Sequence, residues 1–476
     1  MHAQFKGLKN VLAACAICGL LLVPARPRVH AAEGDAAPAN HRVAVFPFEI
    51  HSKDSGDSFL SQAFADTLTS ALAQVSALIL TERGQLKTLL EEQELGQSGI
   101  VDPKTAARTG MVLGAQTAVL GSFTRVGKTG QATCRLVDIA TTEVDKSRLV
   151  KVSRTLEAEE AMFDLMDELA NALAATFDLK PTPREAKQIA ARAEPTKTYS
   201  AYQFFIQGRS EMILATPEGY ERAIPHFLKA VEADPGYALA YAALAENYCH
   251  WGSWLAQNGK PYQSQVELCS ENAQKALKLR PDLAETHRAM GFAYGAKAHL
   301  GDAEKNYGLQ MQEARKAIEL NPNDAESHYG LWVAKGTPDP DDPLIRRALE
   351  LNPRFVNALN DYGGALRMNG RGPEAISTYN KILEISPRNI TALNNLGYAL
   401  MMQGDLDKAV DCFKKALEIN PEHAKAHINL GGAYRRMGDF QSAGECYQKA
   451  CDLGQEDGCH NLRLLHRMYG ANLRGR

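Results

Sequence analysis

The sequence predicts an N-terminal α/β sandwich domain, a mixed sheet with packed helices, followed by an all-α superhelix of repeated helix pairs. Three observations carry that expectation. Strand-like and helix-like segments alternate between residues 42 and 177 and end in a run of strands, the signature of one sheet with helices packed on it. Beyond residue 198 an apolar helix, a Gly turn and a second helix ending Ala-x-x-x-x-Pro recur, with prolines at 235, 281, 322, 353, 387 and 421. The last three prolines are 34 residues apart, the period of a stacked helical hairpin. Composition agrees: 45% apolar and 23% charged residues are an ordinary globular mix. With 53 Lys and Arg against 56 Asp and Glu, the chain lacks the basic excess of a nucleic-acid binder. No stretch reaches the roughly 20 apolar residues of a membrane-spanning helix.

Residues 1–31 read as a secretory signal peptide. Lys6 and Lys9 precede a mostly apolar run, Val11 to Val23, and Val29-His30-Ala31 offers a small-residue exit. A run of that length rises about 20 Å as a helix, short of the roughly 30 Å hydrocarbon core. Lipidation at Cys15 is discounted, because most of the apolar run follows that cysteine. Cleavage would leave seven cysteines in an oxidising compartment, so at least one stays outside any internal pair.

The first domain is expected over residues 42–178. Residues 42–50 are strand-like, with Pro47 placing a bulge or an edge. Phe59 to Val75 carries Phe59, Leu60, Phe64, Leu68 and Leu72 at helical spacing. A strand at Ala77–Leu80, helices at Gln85–Leu95 and Thr105–Leu113, and strands at Thr117–Arg125, Gln131–Ile139 and Ser147–Val152 follow. An amphipathic helix from Leu156 to Phe177 closes the domain.

Arg42-Val-Ala-Val-Phe-Pro-Phe, Thr81-Glu-Arg-Gly-Gln-Leu, Leu89-Leu-Glu-Glu-Gln-Glu-Leu, Ser98-Gly99, Leu113-Gly-Ala, Leu120-Gly-Ser and Arg135-Leu-Val-Asp occur in an order that resembles the curli secretion-channel (CsgG-like) family. The soluble relatives of that family are the TolB-like and penicillin-binding-protein-activator domains. The resemblance covers about residues 42–155 and implies an exported protein of the periplasm or outer-membrane periphery. Pore-forming members carry extra amphipathic hairpins, and a transmembrane strand needs about 9–11 residues. The strand pairs here are all used by the domain's own sheet, so a docking domain is expected rather than a channel. Glu82 and Arg83 are read as a structural ion pair or a helix-start contact. No Ser-His-Asp set, phosphate-binding glycine loop or metal-ligand spacing accompanies them, so no enzyme, cofactor or metal is expected.

Residues 179–197 are polar and proline-containing, a semi-rigid linker between halves that should fold independently. After it, Leu393, Leu396, Gly397 and Leu400 stripe one helix, and Ala409, Phe413 and Ala416 the next. The same pattern appears 34 residues earlier (Leu359, Gly363, Ala375, Tyr379) and 34 later (Gly431, Ala443, Tyr447, Ala450). Residues 198–453 thus resemble the tetratricopeptide-repeat family, with an insertion at Trp251–Tyr262 and a degenerate unit around Thr337-Pro-Asp-Pro-Asp-Asp-Pro. Stacked units make a superhelix with a long concave surface. Asn360, Asn394, Asn395, Lys425, Asn429, Arg435 and Arg436 fall on the inner helices as candidate partner-binding residues. Asn amides can pair with an extended peptide backbone, and Arg can clamp a carboxylate. The alternative is that these asparagines simply tolerate a solvated helix surface. His423 and His427 could suggest a metal pair and Asp339, Asp341 and Asp342 a calcium loop, but the further ligands are missing. They read as a solvated helix face and a turn.

The tail resembles the cysteine-rich Sel1-like repeats over one unit. That resemblance, and a turn holding Gly454 and Gly458, predict a Cys451–Cys459 disulfide ahead of a capping helix in residues 454–476. Cys412 and Cys446 hold the same place in successive repeats, about 10 Å apart and too far to bond. Whether Cys249 pairs with Cys269 stays open. The functional expectation is a non-enzymatic cell-envelope scaffold or adaptor. Its groove would bind protein or peptide partners with acidic or extended segments, without nucleic acid, at the outer-membrane periphery. The alternative is a component of an outer-membrane secretion or assembly complex whose first domain oligomerises into a ring.

Overall fold

The computed structural model describes residues 41–473 apart from 74, 76, 82–85, 87–88, 91–100, 158–159, 178–195, 197, 214–215, 258–259 and 337. The leader, Cys15, Glu82, Arg83 and most of the expected 85–95 helix and 179–197 linker lie outside the described residues.

The first domain comprises β1 (His41–Val45), β2 (Glu49–His51), α1 (Leu60–Leu72), β3 (Leu78–Leu80), α2 (Pro103–Val112), β4 (Thr117–Val126), β5 (Thr129–Asp138), β6 (Val144–Thr155) and α3 (Glu160–Ala175). The sheet runs β3-β1-β4-β5-β6, with β2 also beside β4. Strands β1, β3 and β4 are parallel, and β4-β5-β6 form an antiparallel meander. Pro47 breaks the first strand as expected: Val45 pairs with Val119 but Glu49 with Ser122, so one extra residue bulges out on the proline side. Alternation along β1 sends Val43 and Val45 to a core shared with Phe64, Leu68 and Leu72 of α1 and Leu165, Leu169 and Leu173 of α3. Ala44 and Phe46 face the opposite core, with Ala106 of α2 and Leu120. Gly121 is required on β4, because a Cβ there would stand 2.2 Å from the Phe48 ring. Helix α2 starts two residues before its expected position: Asp102 caps it by accepting from the Lys104 and Thr105 amides, with Pro103 at its first turn.

The array follows as α4 (Tyr199–Met212), α5 (Pro217–Ala233), α6 (Ala238–Gln257), α7 (Gln263–Leu279), α8 (Ala284–Ala298), α9 (Ala303–Leu320), α10 (Ala325–Ala334), α11 (Pro343–Leu351), α12 (Val356–Met368), α13 (Gly372–Ile385), α14 (Ile390–Gln403), α15 (Leu406–Ile419), α16 (Ala424–Met437), α17 (Phe440–Asp452) and α18 (Glu456–Leu473). Even-numbered helices up to α16 open the repeats, and odd-numbered ones close them. The expected small-against-large packing holds in α12–α13, α14–α15 and α16–α17. A Cβ on Gly363, Gly397 or Gly431 would lie 2.7 Å from the ring of Tyr379, Phe413 or Tyr447 respectively. Part of the insertion lengthens α6 through Trp251 and Trp254, and the degenerate unit is α10–α11, with 10 and 9 residues.

The expectation that each half keeps a core to itself is corrected by the packing. One apolar cluster contains Phe64 and Phe163 of the first domain together with Tyr202, Phe205 and Tyr237 of the array. The Tyr202 hydroxyl is 2.9 Å from Thr67 Oγ1 and donates to the Ala63 carbonyl at 3.2 Å. The domain rests on the edge of the array made by the turns that precede opening helices. Apolar residues of α1 and α3 are covered there by α4 and the turn before α6.

Candidate peptide-binding groove

The opening helices stack side by side, and from α6 onwards a line of polar contacts runs from one to the next. The Tyr329 hydroxyl of α10 donates to Asp361 of α12 at 2.6 Å. Asn395 of α14 donates through Nδ2 to Asn360 Oδ1 of α12 at 2.9 Å. Asn429 of α16 donates in the same way to Asn394 Oδ1 of α14, also at 2.9 Å. The rule is the same at each step: a residue of one repeat accepts or donates to the residue one position further along in the next. Thus the four asparagines chosen from the sequence come together, but as two internal pairs. Each pair engages one donor of the later asparagine, leaving that amide an acceptor and a second hydrogen.

The cations sit at one end of this line. Lys425, Arg435 and Arg436 are exposed on α16. Arg436 donates to the Met401 carbonyl at 2.7 Å, which ties its guanidinium across to α14. Burial raises the Tyr447 phenol and the nearby Arg435 guanidinium opposes that shift; Arg367 does the same for Tyr379 in the equivalent repeat two units earlier. The repeat between has Met401 and Phe413 at those places, so the arginine is present where the ring carries a hydroxyl and absent where it does not. Arg367 also lies 4.9 Å from the centre of the Tyr398 ring.

Towards the N-terminal repeats the line becomes ionic, a feature the sequence reading missed. Arg288 of α8 grips Glu246 of α6 with two bonds, Nε at 2.8 Å and Nη2 at 3.1 Å. It also reaches Asp324 at 3.0 Å and Glu326 of α10 at 3.3 Å. Burial works against the Arg288 charge, but Asp324, Glu246 and Glu326 together hold the guanidinium firmly protonated. Burial raises the Glu326 carboxyl above its ordinary range; Arg288 opposes that shift and Glu246 adds to it. The signal in the sequence was a lone glutamate amid small and apolar neighbours on α6 and on α10, Glu246 and Glu326.

The other sequence candidates acquire plain structural roles. His423 caps α16, its ring nitrogen accepting from the Ala426 amide at 3.2 Å, and His427 bonds the Pro421 carbonyl at 2.9 Å. Asp339 closes a turn onto the Asp341 amide, Asp341 pairs with Arg371 at 3.1 Å, and Asp342 caps α11 while holding Lys335 at 2.6 Å. Cys451 and Cys459 are bonded, with Cα atoms 4.6 Å apart. Gly458 is needed there, since a Cβ would meet the Cys451 amide nitrogen at 2.8 Å. Cys249 and Cys269 are bonded as well, joining α6 to α7 with Cα atoms 5.6 Å apart. Cys134, Cys412 and Cys446 are free thiols; burial pushes Cys446 up to about 11. Among the described residues no group of three or more His, Cys, Asp and Glu could hold a metal ion. Among them, too, no helix is long and apolar enough to cross a membrane.

Family models match both halves. Residues 30–134 match the curli production assembly/transport component CsgG. Residues 293–324, 354–422 and 388–456 match tetratricopeptide repeats. The chain joins a CsgG domain to a tetratricopeptide-repeat array. Solved structures with similar repeats include YrrB, described as a TPR protein with an unusual peptide-binding site. It is 25% identical, covering 42% of this chain and 95% of that one, with a TM-score of 0.29. A crystal structure of MamA is 21% identical over 34% of this chain and 95% of its own, with a TM-score of 0.30. MamA from Desulfovibrio magneticus RS-1 has the same identity and TM-score, over 34% and 94%. No curated protein matches the chain.

Proposed function

We propose that this protein is a non-enzymatic adaptor of the cell envelope, whose repeat groove holds an extended, acidic segment of a protein partner. The observation that carries the reading is the groove wall of α12, α14 and α16. There Asn360, Asn395 and Asn429, half-buried, form a row of amides backed by the buried Asn394, and the row ends at Lys425, Arg435 and Arg436. An amide row offers donors and acceptors at the spacing of successive repeats, which suits a peptide backbone. Exposed arginines at its end suit carboxylates. The CsgG domain supports export and attachment at the envelope, and the two disulfides suit an oxidising compartment.

The test uses fluorescein-labelled peptides of alternating Glu and Ala, with Lys and Ala peptides as the opposite charge. The glutamate peptide should bind the full-length chain, weaken as salt rises, and fail to bind K425E/R435E/R436E. N395A/N429A should weaken it by about twofold to tenfold per amide, the loss of a hydrogen bond worth roughly 0.5–1.5 kcal/mol. Equal binding of both peptides, or no effect of either variant, overturns the assignment.

A further inference from the structure

We infer that the array has a hinge between α9 and α10, and that the CsgG domain is the brace that holds this hinge at one angle. The inference stands apart from the groove reading and uses none of its binding residues.

Apolar clusters tie the array together on either side of α9. One runs through α4, α5, α6, α7 and α8. Another joins α10 to α12 through Trp332, Ile345, Ala358 and Ala365, and further clusters carry the core on to α18. Among the described residues α9 belongs to none of them. Its buried side chains are Gln310, Ala314 and Ala317. Where the later pairs set a ring against a glycine, this unit sets an amide. A Cβ on Gly295 of α8 would stand 3.0 Å from Gln310 Oε1, and Gln310 Nε2 donates to the Gly330 carbonyl of α10 at 3.3 Å. The Oε1 atom is buried without a hydrogen-bond partner, which weakens the packing it sits in. Helix α9 stays with α8, because His287 bonds Glu313 at 2.6 Å. Across to α10 the ties are polar: Arg288 reaches Asp324 and Glu326. Interdigitated apolar side chains have few alternative arrangements, so bending concentrates where they are missing.

The CsgG domain lies across this junction. On the near side Tyr202 of α4 bonds Thr67 and the Ala63 carbonyl of α1, and its ring packs on Phe163 of α3 at 5.3 Å. On the far side Asn323, in the turn before α10, donates through Nδ2 to the Leu78 carbonyl of β3 at 2.9 Å. The same nitrogen lies 3.3 and 3.4 Å from the carbonyls of Val75 and Ala73. Its Oδ1 accepts from Arg347 of α11 at 2.9 Å, which fixes the amide on the second block. Arg42 of β1 donates to the carbonyls of Glu350 and, at 3.1 Å, Leu351, the last residues of α11. There the guanidinium meets unpaired carbonyls and the negative end of the helix dipole. Thr67 on α1 and Ala73 at its end are separated by a helical rise of only about 9 Å. One helix of the domain and the turn after it thus engage both blocks, α4–α9 and α10–α18. A change of angle between the blocks strains the Tyr202 contacts or the Asn323 and Arg42 clamps.

The experiment uses the full-length chain with spin labels on p-acetylphenylalanine in place of Glu267 and Asp411, exposed on α7 and α15. A second pair, at Asp411 and the exposed Lys449 of α17, lies within one block. In double electron–electron resonance each pair should give one narrow distance in the otherwise unaltered chain. N323A/R42Q should shift or broaden the 267–411 distance by more than about 2 Å and leave 411–449 unchanged. Adding Q310M, which sets an apolar side chain of the same length against Gly295 and Gly330, should narrow the distribution again. An unchanged 267–411 distance in N323A/R42Q overturns the inference, as does a change that Q310M fails to reverse or that 411–449 shares. If N323A/R42Q loses its far-UV circular dichroism, N323A alone, which keeps the Arg42 clamp, decides the question by the same readout.

Discussion

Replacing Arg288 with Met tests whether the ionic end of the opening-helix line is a structural keystone of the array. The side chain volume is nearly kept while the guanidinium is lost. What remains is three carboxylates facing one another, two of them almost buried: the side chains of Glu246 and Asp324 are 3% and 7% exposed. Breaking a buried pair by removing one partner costs about 3–5 kcal/mol, because a charge is left uncompensated. At about 2 °C per kcal/mol, the melting temperature should fall by roughly 6 °C or more at pH 7. The pH dependence gives a second check. Glu326 already titrates above its unfolded value, and losing Arg288 removes the main influence holding it down. A carboxyl raised in the folded state binds its proton more tightly there than in the unfolded chain. The variant therefore regains stability as pH falls through the raised value, and the cost is gone once the pH lies below the unfolded value. Of the other groups around the carboxylates, Arg209 stays charged. Thermal melts of wild type and R288M at pH 7 and pH 5 should show a gap that narrows on acidification. A pH 7 loss under about 1 kcal/mol, or a gap that widens towards pH 5, would refute the reasoning.

The Arg435–Tyr447 contact has a built-in control, since the preceding repeat carries Met and Phe at those positions. If the two side chains are coupled, Y447F and R435M should each destabilise by roughly 0.5–1.5 kcal/mol and the double variant should cost less than their sum by about 1 kcal/mol; strict additivity in urea melts would exclude the coupling. Opening the terminal disulfide with C459S should cost roughly 2–3 kcal/mol for so short a loop. Hydrogen exchange in residues 456–468 should then accelerate while α12–α15 are unaffected, and peptide mapping of the unreduced wild type should recover Cys451 joined to Cys459.

Much of the fold was legible because its signals are local. The Gly363, Gly397 and Gly431 spacing fixed the helix pairs, since each glycine exists to admit a ring sixteen residues on. Pro47 forecast the bulge in the first strand, because a missing N–H must break a ladder wherever it falls. The Cys451–Cys459 bond was likewise readable from one turn. The candidate site was legible only in part. The 34-residue interval placed Asn395 and Asn429 on one face, but their bonds run to Asn360 and Asn394, each 35 residues earlier. A shift of one residue around a helix decides which side chains meet, and only the packing of neighbouring helices sets it.

By itself, then, the sequence determined two kinds of core, a sheet between helices and a stack of helical pairs, because periodic burial is written residue by residue. Tertiary structure alone decided where the two meet. Nothing near Arg42 in the chain calls for the end of a helix three hundred residues away, and Asn323 reads as an ordinary turn residue. Their partners are main-chain carbonyls, which every residue carries and no side chain announces.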